Sequence, residues 1–556
     1  MRAGPNRTRF PASLLFPLLG LMLYPAAQAA SFHVCDCASG AQPGCQAGSD
    51  EQPGTADLPW QSYERARQAF AQLSPGDELR FCRGGAWTID GAGERWINSA
   101  CTAEQACRVG AYQPAQLSEP APRPFLLRND GGHGFSLADG GTAEQEEGYV
   151  FESLVIHSTT PTGYGFFIQN DVDDVLIRDV EIVGFRIGVY LAGANDCSPV
   201  PGCDGRNERI VLEQATVLDN QAFGWLGSSN GSEIRDSHFE NNGSLAVFDH
   251  NIYLSDTSDG LVTGMRVLRN RLHRSALDEE GVCRAVSLVV HGRHSDLLIE
   301  GNEVWELPGA AAGGCWGISV DPGYAGEAEA FSDVVIRGNT VRNVGNQAIG
   351  IAACNHCLIE NNVIVQEQAL SSFSSIGIAA PNRARMANDQ VMDQVTIRNN
   401  SIWFGPEAGG TGIRLGGEGG AHELVSNAIR NDGGPGFDCF ELDLPAERYQ
   451  AVDHNHCHAS QGAFEWADGQ GSLAQWQSSS GFDLHSSTEA PGFLDPPGFR
   501  LEASGADAPM VGAGHPTASS PRDILGLPRG PAPDAGAYQW RAGSLFQDRF
   551  ETPTSP

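Results

Sequence analysis

Asp333-Val-Val-Ile-Arg-Gly-Asn-Thr-Val-Arg-Asn-Val-Gly-Asn-Gln-Ala-Ile-Gly-Ile-Ala-Ala-Cys-Asn-His-Cys-Leu-Ile-Glu-Asn-Asn-Val-Ile-Val365 decides the fold. It holds a cassette, apolar-x-x-Asn-x-apolar, twice: Ile336, Asn339, Val341 and again Ile359, Asn362, Ile364. Between the copies lies a second short strand, Ile349 to Ala353. The stretch reads as one full turn of a coiled sheet.

Working outward, cassettes begin at Phe151, Ile177, Leu212, Ile234, Val267, Ile299, Ile336, Ile359, Ile397, Leu424 and Val452. The fourth position is Asn270, Asn302, Asn339, Asn362, Asn400, Asn427 and Asn455 in the later copies, and Leu154, Val180, Ala215 and Ser237 in the earlier ones. Intervals run from 22 residues (Leu212 to Ile234) to 38 (Ile359 to Ile397), so this is a repeat with loops inserted between short elements. Stacked parallel strands lie about 4.8 Å apart, which lets an inward Asn at each bend bond its neighbours above and below. A leucine-rich repeat shares Leu-x-x-Asn-x-Leu. Here the apolar positions are mostly Ile and Val, no helix recurs in each repeat, and a second strand does.

That second strand recurs as Gly165-Phe-Phe-Ile-Gln169, Gly188 to Ala192, Asn251 to Ser255, Ser287 to His291, Gly317 to Asp321, Gly350 to Cys354, Gly377 to Pro381 and Gly412 to Gly416. Alternation predicts an outward row Phe167, Tyr190, Tyr253, Val289, Ser319, Ala352, Ala379, Arg414, and a second row Gln169, Ala192, Ser255, His291, Asp321, Cys354. Chemistry gathers on three consecutive copies. His291, His250, Tyr253 and Asp321 are the candidate catalytic residues; Arg284, Arg293, Ser255 and Ser319 are candidates for holding substrate, with Asp249 and His294 beside them. A histidine or tyrosine base and acid with an arginine cation suits proton abstraction next to a uronate carboxyl group. Paired carboxylates such as Asp249, Asp256 and Asp321 would instead suit glycoside hydrolysis. Asp171, Asp173 and Asp174 read as a solvated acidic turn, with Ca²⁺ the alternative.

The frame is that of an exported protein. Arg2, Arg7 and Arg9, the apolar run Leu14 to Leu23 and Ala27-Gln28-Ala29 read as a signal peptide over residues 1–30. All 14 cysteines follow it, as expected of an oxidising compartment. Spacing suggests Cys197–Cys203, Cys354–Cys357, Cys101–Cys107, Cys439–Cys457 and Cys283–Cys315, with the pairing of Cys35, Cys37, Cys45 and Cys82 left open. The formal charge of -33 argues against nucleic acid and anionic membrane as partners. All 35 basic residues are Arg, which excludes lysine chemistry; coding bias explains the gap.

Both ends carry a resemblance. Gly48-Ser49-Asp50, Gly54-Thr55, Pro59-Trp60 and a helix over about 61–73 come first, followed by Pro75-Gly76-Asp77, the strand Glu78-Leu-Arg-Phe81 and Arg83-Gly84-Gly85. This order resembles the opening of secreted bacterial right-handed parallel β-helix proteins of the pectate-lyase-like superfamily. Pro533-Asp-Ala-Gly-Ala-Tyr538 resembles their closing motif, with Ala535 and Gln539 departing from it. The resemblance implies an all-β, right-handed parallel β-helix of about 11 coils, one for each cassette, with an N-terminal capping helix and a C-terminal closing segment. The expected divisions are 31–130 for the cap and first strands, 131–460 for the repeats, 461–540 for the closing segment and 541–556 for a terminal tail. The superfamily hosts lyases, hydrolases, esterases and epimerases. The expectation is therefore a secreted, monomeric, carbohydrate-active protein: a lyase on an acidic polysaccharide, or alternatively a glycosidase, an epimerase or a glycan-binding surface protein.

Overall fold

The structure is a computed structural model and describes residues 29–91, 93–118, 120–139, 146–192, 205–244, 248–255, 260–324, 326–369, 375–433, 436–459 and 463–542. Residues 1–28 of the expected signal peptide, the expected Cys197–Cys203 pair, Asp256 and the tail at 545–551 lie outside the described residues.

Each coil contributes strands to three faces of a right-handed parallel β-helix. On the first face, Ile299, Ile336, Ile359, Ile397, Leu424 and Val452 stand in register. On the second, Val304, Val341, Ile364, Ile402 and Ile429 do the same. On the third, Ile252, Leu288, Ile318, Ile349, Ile378, Ile413 and Phe440 line up. These residues are buried and form one continuous core, so each coil's apolar surface is covered by its neighbours.

The bend between the first and second faces needs only two residues. Gly338, Asn361, Asn399, Ser426 and His454 take positive φ, which turns the chain sharply, and an Asn follows each of them. Those asparagines form the expected ladder. The Asn339 backbone N–H and Nδ2 both donate to Asn362 Oδ1 (2.9 and 3.0 Å), and Asn362 repeats this to Asn400 Oδ1 (3.0 and 3.0 Å). Each Nδ2 also donates to a carbonyl one coil back, Asn362 to Ile336 O at 3.0 Å. The run continues through Asn427 and Asn455 and stops at Asp483, which accepts from Asn455 Nδ2 (3.2 Å) and from Trp476 Nε1 (2.8 Å).

Both ends are closed. Coil pairing reaches back to Ser31–Val34 against Glu78–Cys82, which pairs in turn with Cys107–Tyr112. The helix Tyr63–Phe70, capped by Ser62, buries Tyr63, Ala66 and Phe70 against Trp96, Tyr149 and Phe151. It is shorter than the 61–73 expected. A second helix, Leu473–Ser480, seals the far end with Trp476. Residues 483–487 continue the stack on that end, the Asp483 N–H donating to Val452 O at 2.7 Å and Ser487 bridging His456 in parallel; the segment after them does not. It packs sideways, with Phe493, Leu501, Met510, Ala535 and Ala537 against Val363, Val365, Trp403 and Ala428. Its Arg529 donates to Asn361 Oδ1 at 2.8 Å.

Disulfides join Cys101–Cys107, Cys283–Cys315, Cys354–Cys357 and Cys439–Cys457 as the spacing suggested, and Cys35–Cys82 and Cys37–Cys45 complete the N-terminal set. One expected register is corrected. Ser319 faces Gly350, and the Ala352 N–H bonds to Val320 O, so Gly350 belongs to the Tyr253 row and Ala352, not Cys354, to the His291 row. The strand runs Gln347–Ile351; the alternation of Ile349 and Ile351 inward overrides the Gly-Ile alignment used on the sequence.

Candidate functional site

The third face brings Tyr253, Ser255, His291, Ser319 and Asp321 onto consecutive strands. Ser255 stands beside His291 in register, Tyr253 beside Val289, and Val289 beside Ser319 on the next strand. The His291 side chain is 12% exposed and its Nδ1 donates to the Asp321 carbonyl at 2.5 Å, with Asp321 Oδ1 at 3.5 Å. That bond fixes the tautomer: Nδ1 carries the proton and Nε2 the lone pair. Burial lowers the imidazole pKa below its ordinary 6.5, the Asp321 carbonyl opposing and Arg383 adding to the shift. The ring is therefore neutral, with a basic Nε2, at neutral pH.

Tyr253 and Tyr324 flank this ring edge-on at 5.5 and 5.7 Å, and the Tyr253 hydroxyl donates to that of Tyr324 at 3.2 Å. Burial raises the pKa of Tyr253, and Tyr324 adds to it, so the phenol stays protonated. Gly323 lies against the opposite surface: a Cβ there would stand 2.5 Å from His291 Nε2. Only glycine fits. The turn is tied by Glu329, which accepts from the N–H groups of Gly292, Gly323 and Tyr324, each at 2.5 Å.

Asp321 is fully buried and serves as a support. Arg383 pairs with its Oδ2, and Asn382 Nδ2 donates both to that oxygen (2.9 Å) and to Ser319 Oγ (2.8 Å). Burial nevertheless holds the Asp321 carboxyl up at about 6, against the pull of Arg383. The Arg383 side chain is 38% exposed and lies over Trp316, 5.4 Å from the ring centroid, so it presents positive charge at the edge of the His291 group.

Other expected residues fall elsewhere. His250 is buried with Nδ1 on Val286 O at 2.8 Å, and burial drives its pKa down to about 3. It supports the Tyr253 ring (5.3 Å) rather than facing a ligand. Asp249 and His294 are buried too. Arg284 is paired with Asp278, and Arg293 lies past the Gly292 turn on the strand Arg293–Ser295, exposed. The calcium candidates Asp173 and Asp174 are gripped by Arg209 (3.0 and 2.8 Å). Tyr324, Glu329, Asn382 and Arg383 were missed. The signal for three of them was position, since Tyr324, Asn382 and Arg383 follow third-face strands closely, in Asp321-Pro-Gly-Tyr324 and Pro381-Asn-Arg383; Glu329, just before the strand Ala330–Ser332, carried none.

The same face carries two further features. Toward the N-terminus, His133, Tyr164, Phe167 and Tyr190 form a half-buried aromatic platform, with centroids 4.8 Å (His133–Tyr164), 5.0 Å (His133–Phe167) and 5.1 Å (Tyr164–Tyr190) apart. Phe167, Tyr190, Leu226 and Tyr253 occupy successive strands of one row. Toward the C-terminus, Asp438, Glu441 and Glu465 each offer an oxygen within 4.8 Å of the others. Burial pushes the Asp438 and Glu465 carboxyls up.

Residues 127–366 match the family described as right handed beta helix region. No curated protein matches the chain. Among solved structures, the pectate lyase Pel9A is 13% identical, with 92% of this chain and 98% of that one covered and a TM-score of 0.40. A lacto-N-biosidase from Eubacterium ramulus is 13% identical, with coverages of 79% and 68% and a TM-score of 0.44. A surface adhesin of Streptococcus pneumoniae is 13% identical, with coverages of 75% and 92% and a TM-score of 0.38. Similarity at this level decides no activity. No helix among the described residues is long and apolar enough to cross a membrane.

Proposed function

We propose that the third face binds a polysaccharide along the β-helix axis and cleaves it by β-elimination next to a uronate carboxyl group at His291. The observation that carries this is the Nδ1–H bond to Asp321 O, which leaves a neutral imidazole with its Nε2 lone pair beside the hydroxyls of Tyr253 and Tyr324. His291 Nε2 takes the proton α to the carboxyl group. The electron pair forms the C=C bond and expels the glycosidic oxygen, which takes a proton from the Tyr253 hydroxyl. Arg383 meets the carboxylate, whose charge grows as the proton leaves. It offsets locally the repulsion expected from a chain of formal charge -33. The aromatic platform, about 14 Å from Tyr253 across three strand steps, offers apolar faces for sugar rings.

Incubation with a panel of uronic-acid polymers, read at the ultraviolet absorbance of the unsaturated product, tests the proposal. Absence of that product from every polymer rejects it. Hydrolysis is the second reading, favoured by the Asp438, Glu441 and Glu465 group, whose spacing and raised carboxyls suit an acid–nucleophile pair. Reducing ends without ultraviolet product select it, and binding without either product selects a glycan-binding role.

The pH profile has a definite sign. A base whose pKa is held below 6.5 by burial stays competent as pH falls through 6.5, so the acid limb of kcat/KM lies below that value. Arg383→Gln removes a neighbouring positive charge, which moves that limb to higher pH and raises KM for the polymer about tenfold or more. An unmoved acid limb in this variant separates Arg383 from His291.

A further inference from the structure

Away from the proposed groove, Asp453, His454 and His485 each offer a metal-ligating atom within 4.8 Å of the other two. They come from different parts of the chain: Asp453 ends a first-face strand in the last regular coil, His454 takes the bend that follows it, and His485 lies in the loop after the sealing helix. A third part, the sideways-packed segment, closes over them through Ala513 and His515.

The group is organised as a ligand set would be. His454 Nδ1 donates to Ala513 O at 2.9 Å, which protonates Nδ1 and leaves Nε2 as the lone-pair atom; ligating histidines are typically oriented this way. Its backbone sits at φ 58, the sharp-turn position of each coil, which turns the ring outward toward the closing segment. Asp453 Oδ1 accepts the N–H groups of His454 (2.8 Å) and His485 (2.9 Å), while Oδ2 meets His485 Nδ1 at 2.7 Å. The rings of His454 and His485 stack at 4.9 Å. His515 accepts from the N–H groups of Thr517 and Ala518 on its Nδ1, so its Nε2 carries hydrogen and it supports the group from the edge at 5.0 Å. Ligand atoms around a tetrahedral ion bound at about 2.0–2.1 Å stand about 3.3 Å apart. The His485 side chain is 66% exposed and has room to rotate to that spacing.

We propose that Asp453, His454 and His485 bind a divalent transition-metal ion of the zinc or copper class, which clasps the last coil to the C-terminal closing segments. Two imidazoles and one carboxylate select these ions over calcium and magnesium, which prefer all-oxygen shells. The acidic chain concentrates divalent cations near its surface. The clasp is independent of the reaction proposed for His291.

The test uses the full chain after treatment with a chelator. Calorimetric titration with zinc chloride is expected to give one high-affinity ion at this group and a rise of about 3 °C in Tm at saturation. His485→Ala, at an exposed side chain, weakens that affinity at least tenfold and abolishes the Tm rise; His356→Ala, at an exposed histidine elsewhere, does neither. Copper bound at the same group shows nitrogen hyperfine splitting in its electron paramagnetic resonance spectrum, reduced in His485→Ala. Zinc affinity unchanged in both His485→Ala and His454→Ala overturns the site. Binding with no change in Tm overturns the clasp.

Discussion

Asn362→Ala is expected to destabilise the protein by about 3–5 kcal/mol. The side chain accepts from the Asn339 N–H and Nδ2 and donates to Ile336 O and Asn400 Oδ1, all in a site with no access to water. Truncation leaves buried donors and acceptors on both neighbouring coils unpaired, and an unmet buried group is far more harmful than a hydrogen bond is helpful. Total stabilities of folded domains lie at about 5–15 kcal/mol, so one rung is a large share. Urea denaturation followed by tryptophan fluorescence measures the loss. Asn455→Ala, beside the carboxylate end of the ladder, has its own signature. It removes the Nδ2 donor to Asp483, whose other donors, Trp476 and Ser486, remain in place. Asn455 also accepts from the Asn427 N–H and Nδ2 and donates to Leu424 O, as Asn362 does on its own neighbours, so its loss is of the same order and is reduced only at the Asp483 end. Equal and negligible losses in the two variants would show that the ladder is decorative.

The largest effect on function is expected at His291. His291→Ala removes the only basic nitrogen of the Tyr253–His291–Tyr324 group and lowers kcat by about 10²–10⁴, while binding of the polymer to the platform at Tyr164, Phe167 and Tyr190 persists. Tyr253→Phe keeps the ring and loses the hydroxyl, so its loss appears in kcat rather than in KM. Gly323→Ala gives a third view: its methyl group would meet Nε2 at 2.5 Å and displace the imidazole without altering a titrating group. Full activity in His291→Ala, with the fold intact by circular dichroism, removes this residue from the reaction.

The fold was legible because its rule is local and repeated. Ile336, Asn339 and Val341 state it, and Ile359, Asn362 and Ile364 state it again; parallel stacking then follows from the need to cover each apolar position. Four disulfides were legible for the same reason, since Cys283 and Cys315 lie one coil apart. The site was only partly legible. Tyr253, His291 and Asp321 follow from the alternation of short strands, yet alternation does not say which polar residue faces out. Asp321, just past the end of its strand, and His250, at the start of its own, proved buried. Arg383 and Tyr324 enter from the turns that follow third-face strands, where no periodicity constrains position. The Gly350 register slipped for a related reason: glycine marks a tolerant position, while Ile349 and Ile351 mark the direction of the core.

The ladder and the one-coil contacts also set how the molecule responds to load. Each coil is held by its two neighbours alone, so a pull applied at the C-terminal end after loss of the closing segments peels the stack one coil at a time. Tension does not spread along the axis. The first covalent stop it meets is Cys439–Cys457, which shortens the length released within the last coils. Farther in, Cys283–Cys315 rivets two consecutive coils at the turn of the chain that carries His291. His291 thus sits at that rivet, whereas Asp321 and Arg383, which follow the strands Ile318–Val320 and Ser375–Ala380, lie on its C-terminal side, and fraying from the far end reaches Arg383 first.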